Sequence, residues 1–280
     1  MRSRVVRSLL KNRIAMGGGA IVICYVMLAI IGPYIVPYDP LQQNYSELLV
    51  APSRAHWMGT DTYGRDVLSR VVYGTRYALL VGVAAVTIQT LVGVTLGLIA
   101  GYCGGIVDTI IMRFTDMMLA IPTLVLALVI AGLLGAGLRN VIIAIGMVGW
   151  REYTRLIRGE VLSLKQESYI EAARAIGVPG VRIVLHHILP NVISTLAVYV
   201  TLCIPSAIIW AAALSYLGLG AQPPTPEWGA MLADGRQILR QAWWVGTFPG
   251  LGIMLMVLGF NFFGDGLTYA LNPKLTDSGL

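Results

Sequence analysis

The stretch Ser168-Tyr-Ile-Glu-Ala-Ala-Arg-Ala-Ile-Gly-Val-Pro-Gly-Val-Arg-Ile-Val-Leu-His-His-Ile-Leu-Pro190 is a polar, partly basic island between two long apolar runs. Ser168 and Glu171 have the S-x-x-E spacing of a capping box. In that box the serine satisfies an orphan N–H of a short helix and the glutamate reaches back to close another. Ile170, Ala173 and Ile176, at i, i+3 and i+6, fall close to one face. Gly177 is placed to end that helix, and Pro179 prevents its continuation. The spacing predicts a short helix, a sharp turn, a second helix, and then Pro190 in the first turn of a membrane helix. Stops this firm make a rigid elbow.

The runs on either side decide the class. The chain has 280 residues, of which 56% are hydrophobic and only 12% charged, against about 25% charged in soluble domains. A bilayer-crossing helix needs about 20 mostly apolar residues, and several such runs are present. The composition is that of an all-α polytopic membrane protein. A net charge of +6 fits basic ends on one membrane side better than nucleic-acid binding. Cys24, Cys103 and Cys203 are scattered in or beside apolar stretches. They read as small buried hydrophobes with no disulfide framework.

Residues 1–13 carry Arg2, Arg4, Arg7, Lys11 and Arg13 and no acid, so the positive-inside rule places this end in the cytosol. Met16 to Val36 is uncharged and reads as an uncleaved first span. Residues 37–76 are polar and fall outside; the glycines between acid–base pairs there suggest compact turns that position a helix along the membrane surface. Tyr77 to Ala100 reads as the second span, with Gly93, Gly97 and Gly101 forming a small-residue stripe for a close helix partner. Gln89 is its one strongly polar mid-span group. It either lines a passage or, the better reading, bonds to a neighbouring helix. Gly104 to Asp116 is polar enough for the cytosolic surface, where Arg113 and Asp116 can pair at i, i+3. Met117 to Gly135 is the third span, started or kinked by Pro122. Gly135-Ala136-Gly137 is a tight outer turn.

The fourth span begins near Val141 and its apolar part ends by Trp150. Arg151, Arg155 and Arg158 then recur on one face. A charge at the bilayer centre costs about 3 kcal/mol, so this half is expected to emerge into the cytosol, as a positive-inside signal or as a basic rim on the mouth of a pathway. After the elbow, Asn191 to Leu217 is a fifth span broken at Pro205. Freed carbonyls there are tolerated against protein or a water-filled cavity, which makes Tyr199, Thr201 and Ser206 candidates for pathway lining beside Gln89, Arg151 and Arg155. A short amphipathic segment follows Trp228, anchored at the outer interface by Trp243 and Trp244. Thr247 to Phe263 is the sixth span, and Asp265 is a helix-end turn residue. With six spans both termini are cytosolic, leaving thirteen basic residues inside and seven outside.

The chemistry of catalysis is absent. No Gly-Lys pair occurs, so there is no phosphate-binding loop and no ATPase in this chain. His56, His186 and His187 have no metal-ligand spacing around them, and the serines have no plausible histidine and acid partners. An ion-coupled carrier would need mid-span acids, which are lacking; a membrane scaffold with no transport role stays open.

Glu171-Ala172-Ala173, Gly177 and Leu189-Pro190 resemble the EAA loop of inner-membrane subunits of ABC importers, with His187 where isoleucine is usual and Ile188 beside it. Other segments resemble the dipeptide, oligopeptide and nickel branch, and its second, C-type permease subunit. They are His56 to Arg70, with Gly59-Thr60-Asp61 and Gly64-Arg65-Asp66; Trp228-Gly229-Ala230-Met231-Leu232; and Gly264-Asp265-Gly266-Leu267 with Asn272-Pro273-Lys274-Leu275. Thr268-Tyr269 and Asn272 replace more charged residues there. The resemblance implies the type I ABC importer permease fold: residues 1–75 as tail, first helix and extracytoplasmic segment, then a five-helix core over 76–280 holding a coupling loop at 160–190. It implies that Ser168, Glu171, Ala172, Ala173, Gly177, Leu189 and Pro190 form coupling helices that dock on a cytosolic ATPase. The implied partners are a second permease subunit, two ATPase subunits that carry ATP and Mg, an extracytoplasmic substrate-binding protein and the lipid bilayer of the inner membrane. No cofactor is implied for this chain itself. Peptides are the leading cargo, with nickel, glutathione and oligosaccharides open.

Overall fold

The computed structural model describes residues 12–271; Arg2, Arg4, Arg7, Lys11 and the Asn272–Leu275 tail lie outside them. Asn12 opens the first helix. Its Oδ1 accepts from Ile14 N at 3.0 Å and Ala15 N at 3.2 Å, satisfying N–H groups the first turn leaves orphaned. The helix α1 (Arg13–Ile35) buries only small residues. Gly18 lies so close to α10 (Trp244–Leu271) that a Cβ there would stand 2.7 Å from Phe262 Cβ.

Helix α2 (Val67–Cys103) begins ten residues before the hydropathy rise at Tyr77. Asp66 is the reason: its Oδ2 accepts from Ser69 N at 2.7 Å and fixes the N-terminus. The expected surface helix is therefore the first turns of α2, and the division at 75/76 falls inside this helix. Gly93, Gly97 and Gly101 do form a stripe. It meets α5 (Leu138–Leu164), where a Cβ on Gly97 would stand 2.8 Å from both Ile157 Cβ and Thr154 O, and one on Gly101 2.7 Å from Val161 Cβ. Side chains there would force the helices apart.

The expected third span is two helices, α3 (Gly105–Leu119) and α4 (Thr123–Leu134), bent by 90° at residues 120–122. Pro122 is the N-cap of α4, so the missing N–H falls where no helical bond is needed. Helix α5 packs along both and does not simply emerge as a basic rim. Arg158 pairs with Asp108 at 2.5 Å and Arg155 with Asp116 at 2.5 Å. Asp116 thus goes to α5, not to Arg113. Arg151 is 0% exposed. It donates to Met118 O, to Ile121 O at 3.2 Å and to Thr123 Oγ1 at 2.9 Å, so its charge sits on the C-terminal carbonyls of α3, where the helix dipole favours a cation.

After the elbow the chain enters α8 (Leu189–Tyr216). Pro205 is buried inside α8 and does not break it; the bonds on either side and the packed neighbours hold the axis. A tight turn at Gly218 leads towards α9 (Trp228–Gln237). Glu227 caps α9 by accepting from Gly229 N at 3.0 Å and Ala230 N at 2.9 Å. Burial pushes its carboxyl above the ordinary range, and those two N–H groups pull it back. Trp228 is buried with Nε1 on Val71 O at 2.9 Å. Trp244 is also buried, with Nε1 on Thr60 O at 3.0 Å. Of the expected anchoring pair only Trp243 faces outward; neighbours in sequence point to different sides. Asp265 lies exposed within α10, not at its end. Cys24 and Cys103 are exposed and only Cys203 is half-buried.

Four helical segments, 13–35, 67–103, 180–216 and 244–271, are long and apolar enough to cross a membrane, and the bent α3–α4 pair makes a fifth. The remaining long helix of the expected six is α5. At 27 residues it extends about 40 Å, but Arg139, Arg151, Glu152, Arg155, Arg158 and Glu160 make it too charged to count by composition. Its charges are tolerable because α2, α3, α4 and α8 pack against it. The elbow and the ends of α2 and α5 lie on one side of the bundle. Residues 37–66, the Gly135–Gly137 turn and α9 lie on the other, joined by Gly137 N to Leu219 O at 3.0 Å and by Trp244 to Thr60.

Candidate functional site

The elbow begins where α5 ends at Leu164. Helix α6 (Ser168–Ala175) has Glu167, not Ser168, as its N-cap, with no side-chain capping bond. Ile170 N and Glu171 N bond to Glu167 O at 2.9 and 3.2 Å. The Ser168–Glu171 box therefore does not form: Ser168 is already the first helical residue, one place too late to cap. The end of α6 is as the sequence predicts. Gly177 has φ +81, its N–H meets Arg174 O at 2.9 Å and Val178 N meets Ala173 O at 3.0 Å. These are the paired 5→2 and 6→1 bonds of a Schellman motif, which needs a left-handed residue at the glycine. A Cβ at Gly177 would meet nothing within 4 Å, so only the backbone demands glycine here.

Ile170 and Ala173 face inward, in a cluster with Ile157, Val161, Ile183, Ile188 and Val192. Ile176, expected beside them, is 81% exposed: six residues on is 120° round the helix from Ile170. The outer face of the elbow shows Ser168, Glu171, Ala172 and Gly177 among its exposed residues. Beside them stand apolar groups, Ile176 and Val181, the latter 72% exposed, with Leu185 half exposed.

The second arm is not a separate helix. The four-residue α7 (Gly180–Ile183), a π turn over Val184–Ile188 and α8 run without a break from Gly180 to Tyr216, 37 residues. Leu189 N bonds to Val184 O, five residues back. Pro190 in the next place has no N–H, and a local π turn re-registers the chain around it. Asn191 Nδ2 takes up His187 O at 2.6 Å. Any tilt of this arm is carried directly into α8.

Two residues that sequence reasoning missed tie the elbow to α2. Lys165 Nζ donates to Gly101 O at 3.1 Å and Tyr102 O at 3.0 Å, covering the C-terminal carbonyls of α2. The Tyr102 ring lies under Arg174, 5.3 Å from its guanidinium carbon, and its Oη is 2.8 Å from where a Cβ on Gly180 would be. A lysine near one helix end and a tyrosine at another carry no spacing signal, because the contact joins residues about 60 apart.

The pathway candidates separate. Tyr199 lines a cavity of about 360 Å³ with Ser194, Thr195, Leu156, Val198 and Thr268, and its ring meets Tyr153 edge-on at 4.8 Å. Thr201 is half-buried and bonds back to Ala197 O at 2.9 Å; Ser206 is half-buried further along α8. Gln89 is buried between helices with Nε2 on Ile145 O at 3.1 Å, the interhelical bond and not a passage. Arg151 and Arg155 face α3.

On the other side of the bundle stands a polar belt the sequence did not disclose. His56 Nδ1 is 2.9 Å from Asp66 and its Nε2 3.4 Å from Glu47. Asp61 holds Arg65 at 2.7 Å and Arg70 at 3.4 Å. Arg70 Nη1 donates to Pro40 O at 3.0 Å and Pro224 O at 3.3 Å. Both aspartates, both arginines and His56 are buried.

The structure is a helical bundle with an exposed elbow on one side, turned at Gly177 and continuous with a helix long and apolar enough to span a membrane. The chain belongs to the family described as binding-protein-dependent transport system inner membrane component, whose model matches residues 93–277. The N-terminal transmembrane domain of oligopeptide transport permease C matches residues 1–52. The chain is 48% identical over 269 residues to a dipeptide transport system permease protein of Alkalihalophilus pseudofirmus, covering 96% of this chain and 88% of the relative. It is 44% identical to a glutathione transport system permease protein of Pectobacterium atrosepticum, covering 96% and 90%. Among solved structures, the MetNI methionine ABC transporter in an inward-facing form matches with a TM-score of 0.56 at 20% identity, over 72% of this chain and 96% of that one. That likeness establishes the type I ABC importer permease fold.

Proposed function

We propose that this chain is the C-type permease subunit of an importer for di- and oligopeptides, forming half of the translocation pathway and coupling it to ATP hydrolysis on partner subunits. The exposed elbow is the single observation that carries the coupling role. Charged and apolar groups on its outer face, set by the Gly177 turn, suit a protein groove better than water or lipid. Glu171 and Ala172 lie on that face, Ala173 seats α6 on the cluster behind it, and Leu189 and Pro190 join it to α8. Motion applied there reaches α8 through the continuous helix and α2 through Tyr102. The cavity at Tyr199, between α5, α8 and α10, is the segment of pathway this chain contributes, with Thr201 and Ser206 further along α8. Both termini and the elbow lie in the cytosol of a cell bounded by this inner membrane, as the basic-residue bias supports. A paired permease, two ATPases and an extracytoplasmic binding protein complete the assembly, and ATP and Mg belong to the ATPases.

Relatives named for dipeptide and glutathione transport along nearly the whole chain support peptide cargo. Reconstitution tests it. Proteoliposomes holding the paired permeases, ATPases and binding protein should accumulate a labelled dipeptide only when this chain is present. Accumulation of glutathione but not dipeptides would shift the cargo. Uptake by this chain alone, without ATPases, would overturn the reading.

A further inference from the structure

Helices α1 and α2 touch where Gly32 meets Val72; a Cβ on the glycine would be 2.7 Å from Val72 Cγ1. Below that contact the helices part and leave an open groove of about 580 Å³, lined by Ile30, Tyr34, Arg76, Leu79, Leu80 and Val83. Arg76, Leu80 and Val83 recur along α2 at helical spacing, so they present one stripe. Tyr34 is 87% exposed and Ile30 62%, on a helix with no charge between Arg13 and its end.

Arg76 is the anomaly. It lies one turn beyond Val72, and Gly32 is itself almost one turn inside the end of α1, so Arg76 sits about 10 Å below that end. It is exposed, yet among the described residues it has no acid partner and no hydrogen bond, only the face of Tyr73 at 5.5 Å. A guanidinium at that depth is unfavourable unless its stem lies along apolar surface and its head reaches an anion at the interface. The buried arginines Arg65, Arg70 and Arg151, and Arg155 and Arg158 on α5, have each found an aspartate or a carbonyl; Arg76 faces the groove.

We infer that the α1–α2 groove holds one phospholipid of the leaflet on the residue 37–66 side. Arg76 binds its phosphodiester in the bidentate manner guanidinium groups favour, the Tyr34 hydroxyl donates a further bond, and one acyl chain lies on Ile30, Leu79, Leu80 and Val83. The lipid fills the wedge where α1 leaves α2 and so fixes the angle of the first helix. The inference is independent of which cargo the assembly carries.

Native mass spectrometry of the purified assembly in detergent tests it, with palmitoyl-oleoyl phosphatidylglycerol titrated as probe. One phospholipid per copy of this chain is expected on the unaltered assembly and on the control Arg240→Gln. Arg76→Gln should weaken retention at least tenfold, Arg76→Lys, which keeps the charge but loses the bidentate fork, should restore only part of it, and Leu80→Trp, which fills the acyl seat, should weaken it without touching the charge. Retention unchanged in Arg76→Gln would overturn the site. So would displacement of the lipid by inorganic phosphate alone, which would mean an anion site without an acyl seat, or a cross-link from position 30 to the paired permease, which would mean that a protein helix fills the groove.

Discussion

Residues 37–66 and residues 165–190 are both polar inserts between spans, and they are built on opposite principles. The first buries a charged cluster. His56, Asp61, Arg65 and Asp66, with Arg70 from the first turns of α2, are each no more than 5% exposed and partnered with one another or with backbone carbonyls, and Trp244 and Thr60 join the belt to α10. The second buries only Ile170, Ala173, Ile183 and Ile188 and turns Ile176 and Val181 outward. A buried charge needs a fixed partner, so the belt can have only one arrangement. An exposed apolar face has its partner elsewhere. The belt holds the chain to itself; on the proposed function the elbow offers the chain to another protein.

That contrast can be broken by substitution. The largest expected loss is in the belt. Asp66→Ala removes the partner of His56, the N-cap of α2 and a bond from Ser69 Oγ, and should destabilise the chain by about 4 kcal/mol, read as a lower thermal midpoint of the purified assembly. Arg151→Met, which frees the α3–α4 bend, should cost about 3 kcal/mol and raise hydrogen exchange over residues 116–124. If either change is silent, the buried charges do not hold the fold.

Smaller stability effects are expected at the elbow, with larger effects on coupling. Gly177→Val forces a β-branched residue to φ +81 and should cost about 2 kcal/mol locally. Because no atom crowds the site, Gly177→Asn should recover most of that loss. Ile176→Asp should change stability by less than about 0.5 kcal/mol, as an exposed substitution, yet reduce ATP-dependent uptake at least tenfold. Equal effects of Ile176→Asp on stability and on uptake would erase the distinction between the two inserts.

How much was legible beforehand follows the same division. Apolar runs announce the spans, and the Gly93–Gly97–Gly101 stripe and the Gly177 stop are local signals, so the sequence alone predicts both. Features that depend on distant contacts were misread. Arg151, Arg155 and Arg158 read as a positive-inside signal or as an inner rim because their spacing says which face they share, not that α3 packs across it. Ser168–Glu171 has the spacing of a capping box, but the turn from Leu164 to Glu167 sets the helix start one residue earlier. The belt was invisible because His56 and Asp66, or Arg70 and Pro224, are brought together only by the fold. Lys165 and Tyr102 likewise show no motif, although they tie the elbow to α2.

The central claim is that the elbow is the surface on which an ATPase subunit acts. Cysteine cross-linking from position 176 tests it most directly, using Ile176→Cys in a chain whose native cysteines are replaced by serine, within the whole assembly in inverted membrane vesicles. The account predicts an adduct with an ATPase subunit whose yield changes when ATP is added. No adduct, together with labelling of position 176 by an impermeant maleimide added outside intact cells, would contradict it.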